Sequence, residues 1–185
     1  MSLLSVFQWL QETEFATALR ESALVYPTVM ATHLTGMALF GGMIFLTDLR
    51  ILGIAMRGTP VSDVINQLRP WKHAGLTLTA TCGIMLAWAK AEFYYHNPFF
   101  WAKLSLLALV AVHAMVFRKS VYKNTAELDR APVMPTNAKV AAWLSLVLWI
   151  SILSMGRLIG YYEIPVQAST PAHGQQALLL AHAPR

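Results

Sequence analysis

Residues 22–47 read SALVYPTVMATHLTGMALFGGMIFLT and contain no Asp, Glu, Lys or Arg. At a rise of about 1.5 Å per residue, a single helix over this stretch is long enough to cross a hydrocarbon core of about 30 Å. The stretch therefore predicts a transmembrane helix. It also contains one histidine, His33, and a polar ring at membrane depth needs a partner.

The composition of the whole chain is typical of a small membrane protein. Of the 185 residues, 56% are hydrophobic and 12% are charged, and the mean hydropathy is +0.49. The net charge of +5 does not indicate nucleic-acid binding, because the basic residues fall in short connections between apolar runs. The single cysteine, Cys82, excludes a disulfide framework and a Cys-x-x-Cys-His haem attachment site.

Four apolar runs predict an all-α integral membrane fold, a four-helix transmembrane bundle with a surface amphipathic N-terminal helix. The runs are residues 22–47, 73–95, 98–117 and 140–162. The predicted domain organisation has three parts: an interfacial amphipathic helix over 1–21, a transmembrane domain over 22–162 and a flexible periplasmic tail over 163–185.

Lys and Arg in the connections predict the orientation. The first connection has four of them and the third has five, whereas the second has only Lys90 and Lys103, at helix ends. Connections rich in Lys and Arg stay in the cytoplasm, so the first and third connections are expected there. This places both termini in the periplasm of a multi-pass protein of the bacterial inner (cytoplasmic) membrane.

The histidines of the predicted spans fall at two depths. His33 lies about 10 Å below the periplasmic edge, and His96 lies at that edge. His73 opens the second span at the inner edge, and His113 lies about 7 Å above that edge. Two histidines on different helices at one depth suit the axial positions of a b-type haem. The sequence therefore predicts an outer and an inner haem-iron site, with one or two haem b groups.

Cationic and small residues complete the two predicted sites. Lys103 and Arg157 near the outer ends of spans three and four, and Arg50 near the inner edge, are candidate partners of haem propionates. Gly36, one turn from His33, leaves room for a flat ring. In the alternative interpretation, each histidine hydrogen-bonds a neighbouring helix and the cations extend to the interface.

Three stretches carry a resemblance to known proteins: YPTVMATHLTGMALFGGMIFLTDLRILG (26–53), NPFFWAKLSLLALVAVHAMVF (97–117) and AWLSLVLWISILSMGRLIGYY (142–162). They resemble a family of bacterial four-helix membrane proteins that has only a domain-of-unknown-function label. His33, the Lys103-Leu104 pair and His113 are more distantly similar to the haem-containing membrane protoporphyrinogen oxidases and to the copper-resistance membrane proteins. The oxidase resemblance implies a haem-ligand or catalytic role for His33 and Lys103.

Three functions are compatible with these features. The leading hypothesis is a b-type cytochrome-like electron-transfer subunit of a redox complex, not a stand-alone enzyme. The second is a haem-dependent porphyrin-oxidising enzyme, and the third is a haem-free subunit or copper-handling protein with soft ligands such as Met30, Met37 and Met43. The expected partners are the lipid bilayer and other redox subunits or a quinone, with no nucleic acid, and a homo-oligomer is compatible with the sequence.

Overall fold

The computed structural model describes residues 2–117, 121, 125–131 and 133–162, and within them the chain forms eight helices and no strand. The predicted tail, residues 163–185, and the basic residues Arg118, Lys119 and Lys123 lie outside the described residues. The helices are α1 (Leu3–Gln11), α2 (Glu14–Glu21), α3 (Val25–Ile51), α4 (Val61–Ala89), α5 (Ala91–His96), α6 (Pro98–Phe117), α7 (Thr125–Arg130) and α8 (Thr136–Ile159).

Three of these helices, α3, α6 and α8, are long and apolar enough to cross a membrane. They correspond to the first, third and fourth predicted spans. The second predicted span belongs to α4, which has 29 residues but does not reach the same hydropathy. The reason lies in its composition, since Lys72, His73 and threonines at 77, 79 and 81 interrupt its apolar residues. Three of the four predicted spans therefore correspond to helices that are long and apolar enough to cross a membrane.

Small residues bring α3 and α4 into close contact. A Cβ on Gly36 would lie 2.6 Å from Thr79 Oγ1, and a Cβ on Gly75 would lie 2.7 Å from the backbone nitrogen of Phe40. Neither position leaves space for a larger side chain. Glycines at such points let two apolar helices gain packing energy by close backbone approach, which is the usual device of helices in lipid.

The long helices form a row in the order α4, α3, α8 and α6. α3 packs on both α4 and α8, and α8 also packs on α6, but the described part of α6 makes no close backbone contact with α3 or α4. In α6 only His113 is buried. Of the other three long helices, α8 is therefore the one that α6 contacts along its described residues.

Side chains from distant elements hold both ends of α4. At its first turn, the backbone N–H groups of Val61 and Ser62 donate to the Asp129 carboxylate at 2.6 and 3.2 Å. At its last turn, the carbonyl oxygen of Ala89 accepts from Arg20 Nη1 at 3.0 Å. An anion at the N-terminus and a cation at the C-terminus complement the helix dipole.

The N-terminal segment contains two surface helices where the sequence analysis predicted one. The chain breaks at Thr13, whose hydroxyl accepts from the backbone N–H of Ala16 at 3.4 Å and so caps α2. Both helices pack on the end of α4. There Trp88 Nε1 donates to the Leu10 carbonyl at 3.0 Å and to Thr13 Oγ1 at 3.1 Å. Aromatic rings gather at this end, as at a membrane interface.

The predicted second span, residues 73–95, ends earlier than expected. α4 ends at Ala89 and the short α5 follows. α6 then begins after Asn97, a fully buried residue whose Oδ1 accepts from the N–H groups of Phe99 and Phe100. Its Nδ2 donates to the Ile159 carbonyl at 3.3 Å. Asn97 thus caps α6 and ties its start to the end of α8.

Candidate functional site

His33 lies against α4, with its ring over Gly83. Its Nδ1 is 2.9 Å from the carbonyl oxygen of Thr79. A carbonyl only accepts, so Nδ1 carries the proton and donates, and the lone pair of the neutral ring is on Nε2. A Cβ on Gly83 would lie 2.9 Å from His33 Cε1, so the absence of a side chain there makes room for the ring. The structure gives Nε2 no hydrogen-bond partner among the described residues.

The space beside Gly36 is filled from α4. Thr79 Oγ1 occupies it, so the expectation that Gly36 leaves room for a flat ring is wrong. The Thr79 hydroxyl is buried and has no hydrogen-bond partner within the described residues. Any group bound at His33 must therefore lie on the side of the ring that faces away from α4.

Lys103 of α6 lies within the range of a charge interaction with His33. Its ammonium reaches α8, where a Cβ on Gly156 would lie 3.7 Å from Lys103 Nζ. The half-buried Lys103 has no hydrogen-bond or ion-pair partner in the described part of the chain. His33 and Lys103 come from α3 and α6, which make no close backbone contact with each other in the described part of the chain, whereas α8 packs on both.

Arg157, the other predicted cation of the outer site, is exposed near the end of α8. Its Nη2 donates to the Tyr161 hydroxyl at 2.6 Å, and its guanidinium carbon lies 4.8 Å from the centre of the Tyr161 ring. This arrangement matches an interfacial cation with an aromatic neighbour.

His113 is buried between α6 and α8, with 6% of its surface exposed. Its Nε2 lies 3.0 Å from the carbonyl oxygen of Ala141, and its ring centre lies 4.9 Å from that of Phe117. Nε2 therefore donates to α8. This is the bond between helices that the alternative interpretation of the histidines expects.

The other two predicted ligands, His73 and His96, are exposed. His73 lies on α4, which does not pack on the helix of His113, and His96 ends α5, with its ring 5.0 Å from that of Tyr95. Two axial ligands of one haem must approach the iron from opposite faces of the ring. The structure does not test whether His33 with His96, or His73 with His113, could do so, and both pairings stay predictions. Among the described residues no three His, Cys, Asp or Glu side chains form a group that could hold a metal ion.

Arg50, predicted as a cation of the inner site, holds the connection between α3 and α4. Its Nε donates to the Thr59 carbonyl at 2.6 Å. It also lines a pocket of about 470 Å³ that includes Arg57, Asp129 and Lys139. The structure thus assigns Arg50 to a surface pocket where the end of α3 meets the starts of α4 and α8.

A buried carboxyl lies between α3 and α8. Asp48 is 1% exposed, faces the Ser145 hydroxyl and interacts with the charge of Lys72. Lys72 also donates to Thr47 Oγ1 at 3.3 Å. These contacts join three helices through charge and hydrogen bonds.

Sequence reasoning missed the partners of His33. Thr79 and Gly83 lie one helical turn apart on α4, and their spacing matches one face of a helix. A polar residue and a glycine on one face of an apolar helix were the sequence signal that could have identified these partners. The depth argument carried no information on which face of α4 His33 meets.

Comparison with known proteins gives one match. The model of DUF6644, a family of unknown function, matches residues 6–162. No curated protein and no solved structure matches the chain. The expected distant similarity to protoporphyrinogen oxidases and copper-resistance proteins therefore has no support. The family match includes every helix from α2 to α8, and the chain belongs to DUF6644.

Proposed function

We propose that this protein is a membrane haem protein, a b-type cytochrome-like electron-transfer subunit, in which His33 Nε2 binds the iron. The observation that carries the proposal is the hydrogen bond from His33 Nδ1 to the Thr79 carbonyl, 2.9 Å long. Histidines that bind metals commonly donate their other ring nitrogen to a carbonyl, which fixes the ring and leaves Nε2 for the metal. Gly83 adds the space that this ring position requires.

Lys103 supplies the second supporting feature. A haem carries two propionates, and a carboxylate at membrane depth needs a cation. Lys103 is half-buried, has no partner among the described residues and acts electrostatically on His33. It is therefore the propionate partner we propose. Arg157 is a weaker candidate because it is exposed and already bonded to Tyr161.

A bound haem would supply one-electron chemistry through its iron. The chain's own residues would orient His33 and hold a propionate. Apolar side chains of α6 would cover part of the haem ring, because most of the surface of this helix is not packed against other helices. Electrons would be exchanged with a quinone or with other redox subunits.

The support differs between the two predicted sites. His113 donates Nε2 to Ala141, so its usual haem-binding nitrogen is engaged, whereas Nε2 of His33 is free among the described residues. We therefore propose one haem at His33. A second haem between His73 and His113 would require His113 to give up this hydrogen bond.

We also propose that α4 crosses the membrane with α3, α6 and α8, because it packs along α3 and has 29 residues. Four passes in the inner membrane would then place both termini in the periplasm, as the basic connections predict. Cysteine labelling at Gly58, which has no neighbouring atom within 4 Å of a built Cβ, tests this orientation. Modification of Gly58→Cys by an impermeant reagent in intact cells would reverse it.

The function is tested by the spectrum of the unmodified protein purified in mild detergent. The proposal expects a b-type haem difference spectrum on reduction and about one haem per chain. Expression with a supply of haem precursor excludes underloading as the cause of a low ratio. Protein that is folded, as judged by its helical circular dichroism, but free of haem would overturn the proposal.

A further inference from the structure

The pocket at the junction of α3, α4 and α8 combines positive charge with an apolar floor. Its volume is about 470 Å³. Three cations line it: Arg50 from the end of α3, Arg57 from the connection to α4, and Lys139 from the first turn of α8. These three cations come from separate elements and line the same pocket. A cluster of basic residues in a single loop would not produce this arrangement.

The two arginines are held in place by their backbone contacts. Arg50 Nε donates to the Thr59 carbonyl at 2.6 Å, and Arg57 Nε donates to the Gly53 carbonyl. In both, the terminal guanidinium nitrogens make no hydrogen bond to the described residues. The Lys139 side chain is exposed and likewise has no partner within the described ranges. The donors needed to bind an anion are therefore available.

The one carboxylate that lines the pocket is already engaged. Asp129 accepts from the backbone N–H groups of Val61 and Ser62 through its two oxygens. Desolvation raises its pKa, but the hydrogen bonds from Ser62 and Val61 and the charge of Arg50 outweigh this and hold the pKa of Asp129 below its usual range. Asp129 stays ionised and capped on α4, and three cations against one anion leave the pocket with a net positive charge.

The floor of the pocket is apolar. Ile51 and Leu128 are 1% and 6% exposed and belong to the main buried cluster, and Met134 packs against that cluster. A ligand that matches both the walls and the floor has a phosphate next to hydrocarbon. The pocket also lies at helix ends, where a membrane interface is expected.

We propose that this pocket binds the phosphate of an anionic phospholipid. The terminal guanidinium groups of Arg50 and Arg57 and the ammonium of Lys139 contact the phosphate oxygens, and Ile51, Leu128 and Met134 contact the first carbons of the glycerol and acyl chains. Arginine matches phosphate geometry with paired donors, and basic pockets between membrane helices are suited to such headgroups. This site is independent of haem and of His33.

Native mass spectrometry of the detergent-purified protein tests the proposal with two lipids that have the same acyl chains, phosphatidylglycerol and phosphatidylcholine. The altered protein is the double variant Arg57→Gln and Lys139→Gln, which leaves Arg50 on Thr59 and Asp129 on α4. The matched control is Lys90→Gln, which removes a cation at the opposite end of α4, about 40 Å away over its 29 residues.

The proposal expects the unmodified protein and Lys90→Gln to retain phosphatidylglycerol over phosphatidylcholine, and the double variant to lose roughly tenfold or more of this preference, because each basic residue near an anionic headgroup contributes about 1 kcal/mol. Equal binding of the two lipids, or full retention in the double variant, would overturn it. Displacement of phosphatidylglycerol by equimolar inorganic phosphate would overturn the lipid as the source and assign the pocket to a free phosphate.

Discussion

His33 and His113 both hydrogen-bond the backbone of a neighbouring helix, but they do so through different ring nitrogens. His33 donates Nδ1 to Thr79 of α4, and His113 donates Nε2 to Ala141 of α8. The first ring leaves Nε2, the nitrogen farthest from its own backbone, without a hydrogen bond among the described residues. The second has only Nδ1 left, which lies close to its own helix.

Their surroundings differ in the same direction. His113 is buried on the packed face of α6, where its ring touches Phe117, whereas His33 is half-buried and shares its surroundings with the unpaired cation Lys103. Under the proposed assignment His113 serves packing and His33 binds haem, two roles that a hydropathy plot does not distinguish. The nitrogen that the neighbouring helix leaves free distinguishes them.

Enlarging Gly83 should disturb His33 more than any other single change outside the histidine itself. In Gly83→Ala the new Cβ would lie 2.9 Å from His33 Cε1, so the ring must move and the haem content should fall by half or more. The matched control is Gly42→Ala on α3, where no atom lies within 4 Å of the new Cβ. The measurement is the haem content per chain. Equal haem content in both variants would show that Gly83 does not contribute to the binding site.

Removing the hydrogen bond of His113 should cost stability and leave haem in place. In His113→Leu the Ala141 carbonyl loses its donor, and the free energy of unfolding should fall by about 1 kcal/mol. His113→Gln keeps an N–H donor at a similar reach and should recover part of the loss. Thermal unfolding of the purified variants measures both, and a loss of haem in His113→Leu would contradict the assignment of His113 to packing.

Neutralising Lys103 should have the smallest effect. A cation beside the haem stabilises the reduced, more negative form, so Lys103→Met should retain haem and lower its midpoint potential by roughly 40 mV, the one-electron equivalent of about 1 kcal/mol. Arg157→Gln, at an exposed cation already bonded to Tyr161, should shift the potential less. A larger shift in Arg157→Gln than in Lys103→Met would exchange their proposed roles.

Much of the architecture followed from the sequence because helix length and hydropathy are local properties. The apolar runs predicted α3, α6 and α8, and the predicted third run begins at Pro98, the first residue of α6. The break of the N-terminal helix at Thr13 was missed, although a threonine before Glu14 is a common cap.

The details of the candidate site could not be predicted because they depend on which faces meet. The sequence places His33 and His113 along their helices, but rotation about the helix axis decides that one meets Thr79 and the other Ala141. The same holds for Gly36, which packs against Thr79 instead of leaving space for a ring. Contacts between residues distant in sequence have no local sequence signal. One example is the hydrogen bond from the backbone N–H of Val61, at the start of α4, to the Asp129 carboxylate.

The most direct test of the account is the haem content of His33→Ala and His113→Ala, each measured with and without millimolar imidazole during expression and purification. The account predicts that His33→Ala loses the haem spectrum, that imidazole restores it by occupying the space of the missing ring, and that His113→Ala keeps it without imidazole. Haem retained in His33→Ala and lost in His113→Ala, with both proteins folded, would contradict the assignment of the ligand to His33.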